Sequence, residues 1–143
     1  NHPPENMLMP IRQALQFIGD GFRNIKSDIW IDIALRDTSK QLIISDCRYH
    51  NEAKNIHQRG GINVVIYRPN YLNDDPNPSE SQLKPLLVWC EKTQKEGLIN
   101  HSIEDAPDGH QHYDLFLKND GDITDLHKKI DNLIIPLIEK IYA

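Results

Sequence analysis

Cysteine is scarce: Cys47 and Cys90 are the two thiols in 143 residues. They are too few for a disulfide framework, and their spacing fits neither C-x-x-C redox chemistry nor a structural zinc site. Both stand beside apolar residues and read as reduced cysteines of a cytoplasmic protein. Long apolar runs are missing too. No stretch approaches the roughly 20 residues of a membrane-spanning helix, and the first residues do not read as a secretory signal. Positive charge is in deficit, with 16 Lys and Arg against 21 Asp and Glu and a formal net charge of −5. Such a chain has no general attraction to a nucleic-acid polymer or an anionic membrane, although a single nucleotide stays within reach. Internal repeats and low-complexity tracts are absent as well.

What is present fits one globular domain over residues 1–143: 38% hydrophobic and 26% charged residues are ordinary values. The sequence begins with Asn1, and residues 1–7, polar and proline-bearing, read as a linker or cut end with a segment expected upstream. Between residues 9 and 22, Ile11, Leu15, Phe17, Ile18 and Phe22 recur at helical spacing, with Pro10 suited to the first turn and Gly19 and Gly21 to the end. A second helix is expected from Ser27, as N-cap, through Trp30, Ile33, Ala34 and Leu35. Residues 42–45 and 62–67 read as parallel strands joined by a helix over 50–59. A polar loop over 70–81 leads to a helix over 83–95 with Pro85 in its first turn. Residues 97–112 look irregular, 113–117 form a third strand, and Asn119-Asp120-Gly121 makes a turn. The last helix carries one apolar stripe, from Ile123 and Leu126 to Ile138 and Ile141, with a kink expected at Pro136.

The stretch richest in chemistry runs Ser45-Asp46-Cys47-Arg48-Tyr49-His50-Asn51-Glu52-Ala53. An acid and a cation two residues apart, just past a buried strand, lie at the carboxyl edge of a sheet, where ligands sit in open α/β folds. Asp46 suits a magnesium ion or its water, and Arg48 suits a phosphate gripped at two oxygens. Structural roles fit equally: Asp46 capping the next helix, Arg48 pairing with Glu52 four residues on. Spacing does not choose between them.

Residues 43–53, followed by Gly60-Gly61 and by Tyr67-Arg68-Pro69 after a strand, resemble the strand–D-x-R-[FY]-x-N-E-A … G-G … strand–R-P signature of bacteriophage-type P-loop deoxynucleoside monophosphate kinases. Leu15-Gln16-x-x-Gly19 with Arg23 resembles the family's L-Q-x-x-G … R helix, and Asp28-Ile29-Trp30-Ile31 its D-x-W-V helix start. Leu117-x-Asn119-Asp120-Gly121 with Asp125-Leu126 is similar to its closing strand–N-x-G–helix. A more distant likeness runs to animal phosphomevalonate kinase. The resemblance covers most of residues 10–142 in the right order. Two features depart from it. The family's H-x-S-E is matched only by His101-Ser102-Ile103-Glu104, with the serine displaced. The G-x-x-x-x-G-K-[ST] loop that holds donor phosphates occurs nowhere in the 143 residues.

The resemblance implies an α/β fold, a three-layer parallel sheet of P-loop kinase type lacking its N-terminal P-loop strand. That strand would lie between the strands at 41–45 and 62–67, so its absence leaves either two open edges or strands closed onto each other. It also implies ATP-dependent phosphoryl transfer to a deoxynucleoside monophosphate, with ATP and Mg2+ used by the intact protein and the 143 residues alone inactive. Asp46, Arg48 and Arg68 become catalytic candidates, and Arg12, Gln16, Arg23, Trp30 and Glu52 substrate-binding ones. Bland roles stand beside these: a solvated helix face for Arg12, Gln16 and Arg23, a core position for Trp30, a surface ion pair for Arg68. The expected partner is a nucleotide, with a missing N-terminal segment or partner chain, or an oligomer, completing the fold. The rival function is a non-catalytic binding or assembly module on a degenerate kinase fold. Seven histidines, three of which (His101, His110, His112) share one loop with Glu104, invite a metal, but their spacing fits no structural zinc pattern.

Overall fold

The computed structural model describes residues 9–37, 41–71, 77–99 and 105–143. The chain divides into two compact units, Asn1–Ser45 and Asp46–Ala143. The expected polar end at 1–7, the centre of the 70–81 loop and the His101-Ser102-Ile103-Glu104 candidate lie outside the described residues. No helix among the described residues is long and apolar enough to cross a membrane.

In the first unit, α1 (Ile11–Ile25) starts after Pro10, as the fixed proline φ favours, and runs straight through Gly19 and Gly21. Each glycine weakens a helix by about 1 kcal/mol without forcing a break, and the end comes at Lys26 instead. Helix α2 (Ile29–Ala34) has Asp28 rather than Ser27 at its N-cap and buries Ile31. Trp30 sets its ring edge-on to Phe22 at 5.5 Å and donates its indole N–H to the Gly19 carbonyl at 3.2 Å. Residues 41–45 form no strand, and Ile43 is 94% exposed. Three consecutive apolar residues cannot hold an extended shape unless a neighbour takes their backbone groups.

The second unit is built on a sheet in the order β1-β3-β2. Strand β1 (Val64–Tyr67) pairs in parallel with β3 (Leu115–Lys118), Val64 opposite Leu115. The short β2 (Gly97–Leu98) adds on antiparallel, with Gly97 opposite Phe116. The sheet is thus mixed rather than wholly parallel, and β2 falls where the sequence looked irregular. Gly97, at φ +100, allows the bend by which the chain enters that edge.

Helix α3 (His50–Gln58) and, after the one-turn α4 (Pro78–Ser81), α5 (Lys84–Thr93) supply Ala53, Leu86 and Cys90 to a core shared with Val65, Tyr67, Tyr113 and Phe116. Pro85 does sit in the first turn of α5. Leu115 and Leu117, pointing to the opposite face of β3 from Phe116, are fully buried as well. Burial of each such side chain contributes about 1.5–3 kcal/mol of transfer free energy. The C-terminal stretch is α6 (Ile123–Lys129), a π-turn (Ile130–Ile134) and α7 (Ile135–Tyr142). Asp122 caps α6 by accepting the Asp125 N–H at 2.9 Å. Pro136 lies in the first turn of α7, and the irregularity expected of it appears just upstream as the π-turn.

Candidate functional site

The residues singled out from the sequence fall into separate groups. Arg12, Gln16 and Arg23 lie on one side of α1 in the first unit, and Trp30 is spent on Phe22 and the Gly19 carbonyl. Asp46, Arg48 and Glu52 form a local group at the start of α3. The Arg48 Nε donates to Asp46 Oδ1 across an exposed pair. Glu52, 6% exposed, turns its Oε2 back to accept the N–H of Arg48 at 3.0 Å and of Tyr49 at 3.2 Å. The helix cap is therefore Glu52, not Asp46. A carboxylate there also meets the positive end of the helix dipole.

The segment facing the start of α3 is Gly109–Tyr113, which leads into the amino end of β3. The rings of His50 and Tyr113 meet edge-on at 6.4 Å, and His50 N–H accepts support from Gln82 by donating to its Oε1 at 2.9 Å. Asn63, buried, donates from Nδ2 to the carbonyls of Ala53 and His112, each at 2.7 Å, and so ties α3, β1 and this segment together. His57 stands 4.0 Å from Asp114 and 6.1 Å ring-to-ring from His112. Burial lowers the His112 pKa first, and His57, Lys54, His50 and His110 lower it further. Cys47 is pushed up to about 11 by burial and by the carboxylates of Glu52 and Asp46. It is an inert thiol rather than a nucleophile. No group of three His, Cys, Asp or Glu able to hold a metal occurs among the described residues.

Arg68 leaves β1 at the opposite, carboxyl end. Asp46 follows no strand, so the shared sheet edge expected for the two does not form. Lys118 is the last residue of β3 and Asp120 stands just beyond it, and their charges are mutually compensated. Lys129 reaches the Lys118 carbonyl at 2.6 Å, Glu96 at 2.7 Å and Asp120 at 3.0 Å, while Lys118 Nζ lies 2.8 Å from Asp120. Hydrogen bonds from Lys118 and Lys129 hold the Asp120 carboxyl down at about 2.

Arg68 itself makes no ion pair among the described residues. Its guanidinium lies over the Tyr71 ring, 4.5 Å from the centroid. The turn that brings Tyr71 back is fixed: Asn70 takes φ +62, its N–H donates to Glu91 Oε1 at 2.8 Å, and the Tyr71 N–H closes onto the Arg68 carbonyl at 3.2 Å. Around it opens a cleft of about 280 Å³ lined by Ile66, Tyr67, Arg68, Tyr71, Leu87 and Glu91. Sequence reasoning named Arg68 alone. The Arg68–Tyr71 spacing across Pro69-Asn70 was the visible signal, whereas Leu87 and Glu91 come from a distant helix.

Among curated proteins, a protein of Acanthamoeba polyphaga mimivirus named "Putative deoxynucleotide monophosphate kinase" is 36% identical to this chain over 58 residues, 41% of the chain. The similarity spans 30% of the viral protein, so the chain matches less than a third of its length. No protein-family model and no solved structure matches the sequence.

Proposed function

We propose that this chain is part of a kinase that transfers a phosphoryl group from ATP to a deoxynucleoside monophosphate in the cytoplasm. The observation that carries this reading is the 58-residue stretch at 36% identity to the mimivirus protein of that name. The order of motifs along residues 10–142 supports it. Arg48 is then the residue that grips phosphate oxygens, its guanidinium oriented by Asp46 and its backbone held by Glu52. In the intact enzyme the sheet gains the strand that carries the phosphate loop, giving the three-layer parallel arrangement.

ATP and Mg2+ belong to that reaction, but the described residues do not fit them. Asp46 is a single carboxylate already engaged by Arg48, no metal-holding cluster accompanies it, and no glycine-rich lysine loop exists in the sequence. The donor must be held by residues outside these 143, and no step of the transfer runs through this chain alone. A second reading, a binding or assembly module that performs no chemistry, holds if the full-length protein carries no such loop.

One experiment separates the two. The natural full-length protein is given ATP, Mg2+ and each common deoxynucleoside monophosphate, and ADP release is followed. Turnover with at least one acceptor supports the kinase, and Arg48→Lys should then lower kcat/KM by about tenfold to a thousandfold, because lysine cannot copy the planar fork. Failure with every acceptor leaves the module.

A further inference from the structure

Histidines gather in one seam, where α3 meets the turn Gly109–Tyr113 that leads into β3. His50 and His57 come from α3, His110 and His112 from the turn. Glycine at position 109 lets the two approach: its φ is +93, and a Cβ there would stand 2.5 Å from His50 Nδ1. The His57 and His112 rings lie 6.1 Å apart, and those of His50 and Tyr113 6.4 Å. Two hydrogen bonds hold the seam closed, from Asn63 Nδ2 to the His112 carbonyl at 2.7 Å and from the Asp114 N–H to the Asn63 carbonyl at 2.8 Å. Beneath it Tyr113 is 3% exposed.

The seam holds more potential positive charge than it can neutralise. His50, Lys54 and His57 of α3 and His110 of the turn all stand close enough to His112 to disfavour its charge. The carboxylate at hand is Asp114. Its Oδ2 accepts the Asn63 N–H at 2.8 Å, and its Oδ1 lies 4.0 Å from His57 Nδ1. Glu52 is committed to the Arg48 and Tyr49 N–H groups, Asp108 is exposed, and the Cys47 and Tyr113 protons stay on at neutral pH and below. One carboxylate is thus left to answer one imidazolium. Nor do the other two rings offer relief. The Pro107 carbonyl, 3.0 Å from His110 Nδ1, can only accept, so that nitrogen carries the ring proton. His110 Nε2 and His50 Nδ1 are buried without a hydrogen-bond partner among the described residues, so a proton arriving there finds no acceptor.

We propose that this seam is an acid-triggered latch: protonation of His57 and His112 together drives the turn Gly109–Tyr113 off α3, while β1 and β3 stay paired. Closed, the latch sets two like charges 6.1 Å apart with one countercharge; open, water solvates both. Burial already depresses His112, so a proton favours the open form. Opening bares Tyr113 and the flank of α3 at His50, two residues beyond Arg48. The latch stands whether or not the chain is a kinase; if it is, acid loosens the segment that presents Arg48.

The test is hydrogen–deuterium exchange of the natural full-length protein from pH 7.5 to 5.5, corrected for the intrinsic rate and read on peptides covering residues 107–113 and 115–118. Protection in the turn should fall by up to about tenfold per pH unit below 6.5 for each proton taken up, and that of β3 should stay constant. His57→Gln combined with His112→Gln should abolish the slope and leave the turn protected at pH 5.5. Asp114→Asn keeps an oxygen for the Asn63 N–H but loses the countercharge, so its opening should begin at higher pH. Three results would each overturn the latch: turn protection that does not change with pH, equal loss in the turn and in β3, or an undiminished slope in the double variant. A double variant unprotected in the turn even at pH 7.5, with β3 intact, would overturn it too, since the rings would then be packing rather than switching. ADP release decides the kinase reading independently of all four.

Discussion

Glu52→Ala removes the acceptor of two backbone N–H groups at the start of α3, those of Arg48 and Tyr49. Both groups lie where a helix has no carbonyl to offer them, and the carboxylate is 6% exposed, so water is a poor substitute. A hydrogen bond to a charged group contributes roughly 1.5–3 kcal/mol, and two that share one oxygen contribute less than twice that. The helix dipole adds about 0.3–1 kcal/mol for an anion in this position. The expected loss is therefore about 2–4 kcal/mol, large for a single substitution. At roughly 3–5 °C per kcal/mol for a chain of this size, Tm should fall by about 6–20 °C. Glu52→Gln keeps an uncharged oxygen in place and should lose only about 1 kcal/mol. Circular dichroism melts, with urea titrations to check that the m-value is unchanged, read both effects. A Glu52→Ala protein that melts within about 2 °C of wild type would refute the cap and return Glu52 to the substrate-binding role its motif suggests. A glutamine variant less stable than the alanine one would refute the hydrogen-bond account specifically.

Gly109 holds φ +93, and a Cβ there would meet the His50 ring at 2.5 Å, so Gly109→Ala should destabilise by about 2–4 kcal/mol; an unchanged urea midpoint would contradict the packing of that turn on α3. His112 titrates below its ordinary value in the folded chain, so the folded state holds fewer protons than the unfolded one near that value. Stability should accordingly be highest above pH 6.5 and decline as the pH falls through the depressed range, and His112→Gln should flatten that slope between pH 7.5 and 5.5. Equal slopes in wild type and variant would argue against it. Burial pushes Cys90 up to about 12 and Cys47 up to about 11, so a thiol-specific disulfide reagent at pH 8 should react slowly with the native chain and rapidly with two thiols in denaturant. Immediate native labelling of either would show a thiolate the structure does not support.

Periodicity and punctuation are local properties, and they made the helices legible. The stripe Ile11, Leu15, Ile18, Phe22 marks α1, Ala53 and Ile56 mark the inner face of α3, and Pro85 finds the first turn of α5 without reference to anything distant. The Asn119-Asp120-Gly121 turn and the helix after it follow from the same kind of signal. The run of motifs that suggested a nucleotide kinase was equally visible in one dimension.

Strand pairing was not, because a strand is stable only when a remote segment accepts its hydrogen bonds. Residues 42–45 have the composition of a buried strand and stand exposed, whereas Gly97-Leu98 carries almost no strand signal and joins the sheet because β3 presents an edge to it. Burial likewise depends on what packs above a residue. Glu52 reads as a ligand-binding acid in its motif and becomes a helix cap once its side chain folds back into the core. Arg68 reads as a surface charge. Only the turn at Asn70 and the approach of Glu91, 23 positions beyond Arg68 in the sequence, set it over Tyr71 at the mouth of a cleft. Sequence fixes which segments coil and which residues carry chemistry; the tertiary structure alone decides which of those residues are brought to the same place, since that rests on contacts between positions no local pattern connects.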